Sequence, residues 1–149
     1  MIDKIFEWRR TMGMPVQEST GLFRKDRIDL ALKLMREEFN ELEIAVHQKD
    51  LEGTADGIVD LIVTTCQLID EIGLNLPKSI DTVYESLMSK TCNKETAIRT
   101  CLTLQSKGIE CDYEEIVEGS GIYRIVRNDG KILKPNTFQE PDWSWLTDL

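Results

Sequence analysis

The segment KLMREEFNELEIAV places Glu37, Glu38 and Glu41 within five residues. At helical spacing Ala31, Leu34, Glu38, Glu41 and Ala45 fall on one line, which should be a buried stripe with carboxylates at its centre. Further on, ADGIVDLIV puts Asp56 and Asp60 four apart on one helix face, with Asp60 set among Val59, Leu61 and Val63. Burying one carboxylate is expensive, and several together raise one another's pKa. Basic partners or a metal ion would relieve this. Two antiparallel helices, each with carboxylates near its middle, would form a cage of oxygen ligands for a hard divalent cation. There is one histidine, His47, and no Glu-x-x-His pair, so the di-iron bundle pattern is absent. All-oxygen ligation favours Mg²⁺ or Mn²⁺ over zinc or iron. For Glu37 beside Lys33, and for Glu43, a solvated surface position is the competing reading.

The elements that must position these groups follow from periodicity. Residues 1–13 read as a short amphipathic helix, and GMPVQESTG as a loop. A long helix is expected over 24–48, with a second, wholly apolar stripe of Ile28, Leu32, Met35, Phe39, Leu42 and Val46. KDLEGT breaks the pattern, and a third helix runs from about 55 to 72, capped by Gly73. Its segment GIVDLIVTTCQLI is apolar nearly all round and should be the most buried piece. A fourth helix is expected over 78–90, with Pro77 near its first position. A fifth, more polar helix lies in NKETAIRTCLTLQSKG. Two β-type runs around EGSG, then an NDGK turn, signal a hairpin. The tail to residue 149 reads as irregular, with Trp143 and Trp145 covering an apolar edge. The expected architecture is mainly α, one domain: a bundle of four to five helices (1–91 holding the catalytic groups) with a small C-terminal β-hairpin appendage within 92–149.

Composition narrows the function. A chain of 149 residues, 41% hydrophobic and 30% charged, fits one globular domain. No run of eighteen apolar residues suggests a membrane span, and MIDKIFEWRR has no apolar signal core. Net charge is -9 with no basic stripe, which argues against a nucleic-acid binder. An anionic substrate would need a bridging cation. Cys66, Cys92, Cys101 and Cys111 show no C-x-x-C pairing and read as reduced thiols in a cytoplasm, Cys66 as a packed core thiol. His47 reads as a cap or surface group. Gly119 and Gly121 in EGSG read as turn residues, too few for a phosphate loop.

REEFNEL followed by ADGIVDLI resembles the all-α nucleoside triphosphate pyrophosphohydrolases, the superfamily of MazG-like proteins, dimeric dUTPases and phosphoribosyl-ATP pyrophosphohydrolase. Its signature is E-x-x-E on one helix and E-x-x-D on the next. Glu38 and Glu41 match the first half. The second half departs: Asp56 and Asp60 give D-x-x-x-D, with Gly53 three before Asp56 and Gly57 three before Asp60. IFEWRRTMGMP, SLMSK (Leu87 where the pattern has Asn) and RNDGKILKPNTFQEPD are similar to a phage and bacterial MazG-like subgroup. The resemblance implies a helical bundle, a homodimer or homotetramer, and Mg²⁺-dependent cleavage of an NTP or dNTP to the monophosphate and pyrophosphate. It implies metal ligation by Glu38, Glu41, Asp56 and Asp60, and catalytic roles for Glu37, Glu38 and Lys90. Glu37 would take a proton from water, and Lys90 would meet the departing pyrophosphate. A helix-end lysine stabilised by the dipole is the competing reading of Lys90. Lys131 and Lys134 are further candidates for the phosphates, against a reading as surface turn residues. The rival functions are a phosphoribosyl-ATP pyrophosphohydrolase and a catalytically silent helical scaffold or regulatory subunit. The broad apolar faces of the second and third helices exceed what one short bundle needs, so a homo-oligomer is expected.

Overall fold

In the computed structural model, which describes residues 2–146, five helices and a small sheet follow in order: α1 (Asp3–Thr11), α2 (Lys25–Gln48), α3 (Leu51–Ile72), α4 (Leu76–Met88), α5 (Lys94–Gln105), β1 (Cys111–Glu115), β2 (Tyr123–Arg127) and β3 (Ile132–Leu133). A single 3-10 turn at Ser144–Leu146 ends the described chain, and the expected tail beyond it lies outside the described residues. The protein is mainly α. Among the described residues no helix is long and apolar enough to cross a membrane.

Two residues join α2 to α3. Lys49 adopts a left-handed backbone (φ 58°), and the Asp50 N–H closes the end of α2 on the Ala45 carbonyl at 3.0 Å. Asp50 then caps α3, its carboxylate accepting the Gly53 N–H at 3.1 Å. So α3 begins at Leu51, four residues before the expected start. KDLEGT is a cap and first helical turn, and Gly53 is not a breaker.

The tight turn sends α3 back along α2. A Cβ on Gly53 would lie 3.3 Å from the Ala45 Cβ, and one on Gly57 would lie 3.1 Å from the Leu42 Cβ and 3.2 Å from its Cα. Glycine at 57 lets the two helix backbones approach closely, and glycine at 53 leaves room for the Asp50 carboxylate that caps α3. This pairing fixes the register that brings Glu38 and Asp60 together one turn further on.

The apolar stripes are covered unevenly. Ala31 and Ala45 are buried, but Phe39 (49% exposed) and Val46 (52%) are not. Ile58, Val59 and Ile62 on α3 are also exposed, which corrects the expectation that this apolar stretch is the most buried. The buried α3 positions are Gly57, Thr64 and Cys66 within that stretch and Asp70 and Glu71 beyond it. A helix pair buries one stripe of each member, so a helix apolar all round keeps apolar surface outside.

Gly73 ends α3 at φ 60°, as expected. The loop from Met14 to Gly21 folds onto this end. The Gln17 N–H donates to the Asp70 carbonyl and the Gly21 N–H to the Ile72 carbonyl, both at 2.9 Å. A side chain at residue 73 would meet the Gln17 carbonyl oxygen at 2.6 Å. Left-handed backbone and close approach both require glycine here.

By contacts the chain divides into two units, one ending at Leu76 and one starting at Pro77. In the second, α5 lies on an antiparallel sheet of order β1-β2-β3. Its core is Ala97, Cys101, Cys111 and Ile125. The expected hairpin is β1–β2, and Gly130 (φ 86°) turns the chain toward β3. α4 belongs to this unit through its contacts with the tail. The Ser86 hydroxyl donates to the Gln139 carbonyl at 2.8 Å, and the Trp145 indole N–H to the Thr82 hydroxyl at 3.0 Å. Trp145 thus packs on α4, as the covering role expected of the tail requires. Burial pushes the Cys66 and Cys92 thiols up, and burial with Cys111 as neighbour pushes Cys101 up to about 12. These are packing groups and not nucleophiles.

Candidate metal and phosphate site

The carboxylates read from the sequence come together on the facing surfaces of α2 and α3. Glu38 is partly buried, and its carboxyl is held above the ordinary value of 4.5. Burial is the largest cause, followed by the charges of Asp60, Glu41, Glu37 and Asp56. Four carboxylates from two helices therefore act on a fifth. A cavity of about 260 Å³ opens beside them, lined by Glu41, Asp56 and Asp60 with Ile44, Asp50 and Gly57. A second, of about 660 Å³, shares Asp50, Gly53 and Asp56 and adds Glu52 and Val59.

The members differ in setting. Glu41, expected on a buried stripe, is exposed because it stands at the cavity edge. Asp56 is exposed and Asp60 half-buried. Glu37 faces solvent with Lys33 3.5 Å away, an exposed i, i+4 pair of small energetic value. Glu43 and His47 are exposed. Gly57, three residues before Asp60, has a physical reason: any side chain there would press on the α2 backbone at Leu42.

Lys90, Lys131 and Lys134 belong to the second unit. Lys90 sits half-buried in the turn after α4, and Lys131 is exposed after the NDGK turn. The Lys134 ammonium lies 2.6 Å from Glu140 and 4.2 Å from the Phe138 ring centre, a surface engagement of its own.

Among the described residues, no three His, Cys, Asp or Glu side chains are already drawn together as a metal-binding cluster. The donor chemistry nonetheless fits a hard divalent cation: oxygen ligands only, with like charges crowding Glu38.

Two groups escaped the sequence reading. Asp50 lines both cavities as well as capping α3. Its signal was available, an Asp followed three residues later by Gly53 at a helix start. The other is a buried ion-pair cluster at the opposite end of α3. Arg9 is 1% exposed and its Nε–H donates to the Asp70 carboxylate. Arg27 grips Glu71 (0% exposed) with two N–H donors at 2.6 Å.

The phosphoribosyl-ATP pyrophosphohydrolase family model matches residues 6–87, which include α2, α3 and the carboxylates of the groove and of the ion-pair cluster. The chain belongs to this family. It is thereby a member of the all-α nucleoside triphosphate pyrophosphohydrolases, together with MazG-like proteins. Among curated proteins it is similar to an uncharacterized protein of Acanthamoeba polyphaga mimivirus, 25% identical over 115 residues, which are 74% of this chain. The match spans 46% of that protein's own length, about half. Family membership supports a hydrolase of pyrophosphohydrolase type. The second unit lies mostly outside the matched residues.

Proposed function

We propose that the chain is a cytoplasmic, Mg²⁺-dependent nucleotide pyrophosphohydrolase that converts an NTP or dNTP and water to the monophosphate and pyrophosphate, cleaning the nucleotide pool. The observation that carries this reading is the crowding of Asp60, Glu41, Glu37 and Asp56 around Glu38 in a chain of this family. Glu38, Glu41, Asp56 and Asp60 would hold Mg²⁺ or Mn²⁺. The ion, when bound, would offset the triphosphate charge and make a bound water more acidic. The chain's own part is to hold these oxygens apart until cation and substrate arrive, and to accept the proton of the attacking water. Glu37, whose ion pair among the described residues is with exposed Lys33, would offer a carboxylate oxygen for that proton. The family model's own description favours a second reading with phosphoribosyl-ATP as substrate.

Pyrophosphate release from a panel of ribo- and deoxy-nucleoside triphosphates and phosphoribosyl-ATP, with Mg²⁺, decides between them. Release from one class names the substrate. No release from any, with Mg²⁺ leaving the melting temperature unchanged, would return the chain to the scaffold reading.

We also propose that the chain works as a homodimer or homotetramer, since Phe39, Val46, Ile58, Val59 and Ile62 leave apolar surface beside the acidic groove. Sedimentation should give a dimer or larger at micromolar concentration. A monomer there would overturn it.

A further inference from the structure

α4 is amphipathic with its faces reversed. Its buried residues are Ser79 and Ser86, each 6% exposed. Ile80, Val83, Tyr84, Leu87 and Met88 are exposed, Tyr84 at 59% and Leu87 at 50%. They recur at steps of three and four, so they form one continuous stripe. Among the described residues of its own unit, α4 packs closely on no helix or strand. It is held by the tail, through Ser86, Thr82 and Trp145. A helix that gives small polar side chains to its own chain and large apolar ones to water leaves its second face for a partner.

The stripe runs into Lys90, two residues past Met88. Ser89 fixes that turn: its hydroxyl donates to the Ser86 carbonyl at 2.7 Å and accepts the Gln139 N–H at 3.0 Å. Lys90 is half-buried and, among the described residues, makes no ion pair. The α2–α3 pair carries the complementary surface. Phe39, Val59 and Ile62 are exposed there, and Phe39 adjoins Glu38 as Val59 adjoins Asp60 in the chain. An apolar stripe ending in an ammonium thus matches an apolar ridge beside crowded carboxylates. Two α4 stripes would match each other worse. Run antiparallel about Tyr84, they oppose Lys78 and Lys90; run parallel, they oppose Asp81 to Asp81 and Glu85 to Glu85. Like charges set face to face are destabilising.

We infer that two copies of this chain pair about a two-fold axis, α4 of each lying on the α2–α3 surface of the other, so that each acidic groove receives the partner's Lys90. Such a contact is reciprocal and closes at two copies. An ammonium brought there would meet phosphate oxygens as a point charge. The inference rests on the homo-oligomer and hydrolase reading proposed above and deepens it: the site is complete only when a second copy is present.

The test is carbodiimide cross-linking of the full chain, which joins an ammonium to a carboxylate in contact. A covalent dimer is expected on a denaturing gel, weakened in Lys90→Ala. Its digest should join the Lys90 peptide to one bearing Glu38, Glu41, Asp56 or Asp60. Tyr84→Glu, an exposed change whose fold circular dichroism checks, should sediment as a monomer where wild type is a dimer. Mixing Lys90→Ala with Glu38→Gln, each nearly inactive alone, should restore about a quarter of wild-type release, because half the dimers are mixed and one of their two sites is whole. A monomeric wild type, a Tyr84→Glu that stays dimeric, or a Lys90 link confined to the monomer band would overturn the contact. An active wild type with no restoration on mixing would overturn the shared site. Cross-linking and sedimentation do not depend on turnover. The expected dimer without pyrophosphate release would therefore overturn the proposed activity and support the contact.

Discussion

Glu38→Gln is expected to lower pyrophosphate release by more than about a hundredfold while making the metal-free protein more stable. The activity loss follows from its place among the proposed ligands. Loss of an outer partner of a metal ligand costs about 10–100-fold, and loss of a ligand should exceed that. The gain in stability follows from the charges. Glu38 is held above its ordinary value by burial, then by Asp60, Glu41, Glu37 and Asp56. A carboxyl with a raised folded pKa favours folding below the unfolded value, near 4.5 here, and that contribution is lost as pH rises through the folded pKa. In EDTA the wild type should therefore lose stability as pH climbs above 4.5, with Glu38 responsible for part of the slope. Gln keeps the shape, carries no charge, and removes that part. Mg²⁺ should raise the wild-type melting temperature by mass action and the variant's by much less. Melting curves from about pH 4 to 8, with EDTA and with Mg²⁺, read all of this beside the release assay. A variant less stable than wild type in EDTA would mean that Glu38 has a partner worth more than its repulsions. An active variant would remove these carboxylates from the chemistry.

How much of this was legible in the sequence depends on the range of each interaction. Glu38–Glu41 and Asp56–Asp60 are local spacings, and helix periodicity puts each pair on one face. The turns at EGSG and NDGK are local too, and the hairpin they signal is β1–β2 with β3 beyond. Gly53 misled the reading because glycine serves equally as a breaker and as a means of close approach. Only the Asp50 carboxylate and the Ala45 Cβ packed against it distinguish the two. Periodicity marked Phe39, Val46 and Ile58 as apolar, but it cannot say whether anything covers them. Arg9 and Asp70 are 61 residues apart, and nothing in either segment announces the other. Arg9 stands in a polar run of a short helix, and Asp70 and Glu71 look like the ordinary acidic end of a surface helix. Only the return of α3 past α1 makes them a buried pair.

That pair sets the second large effect. Arg9→Met should destabilise the protein by about 3–5 kcal/mol, the cost of leaving a buried charge without its partner. Methionine keeps most of the apolar stem, so the change isolates the guanidinium. Asp70, 7% exposed, would then face the interior unpaired. Against a total stability of about 5–15 kcal/mol this is a large fraction. Arg27→Met should cost less, since its side chain is 42% exposed and Glu71 keeps Arg9 and Arg24 nearby. Adding Asp70→Asn to Arg9→Met should recover part of the loss, because the uncompensated charge is then gone. Urea unfolding midpoints at constant slope measure all three. Equal losses for Arg9→Met and Arg27→Met would show that burial of Arg9 is not what makes the pair valuable. Turnover well below the melting temperature should survive in each variant, because Asp70 lies about 15 Å along α3 from Asp60. The two ends of α3 use the same residue type in opposite ways. Around Asp60 carboxylates crowd with, among the described residues, exposed Lys33 beside Glu37 as their cation, so stability is given up, and on the proposed function a metal ion would offset it. At Asp70 and Glu71 the chain supplies its own cations, and the same charges hold α1, α2 and α3 together.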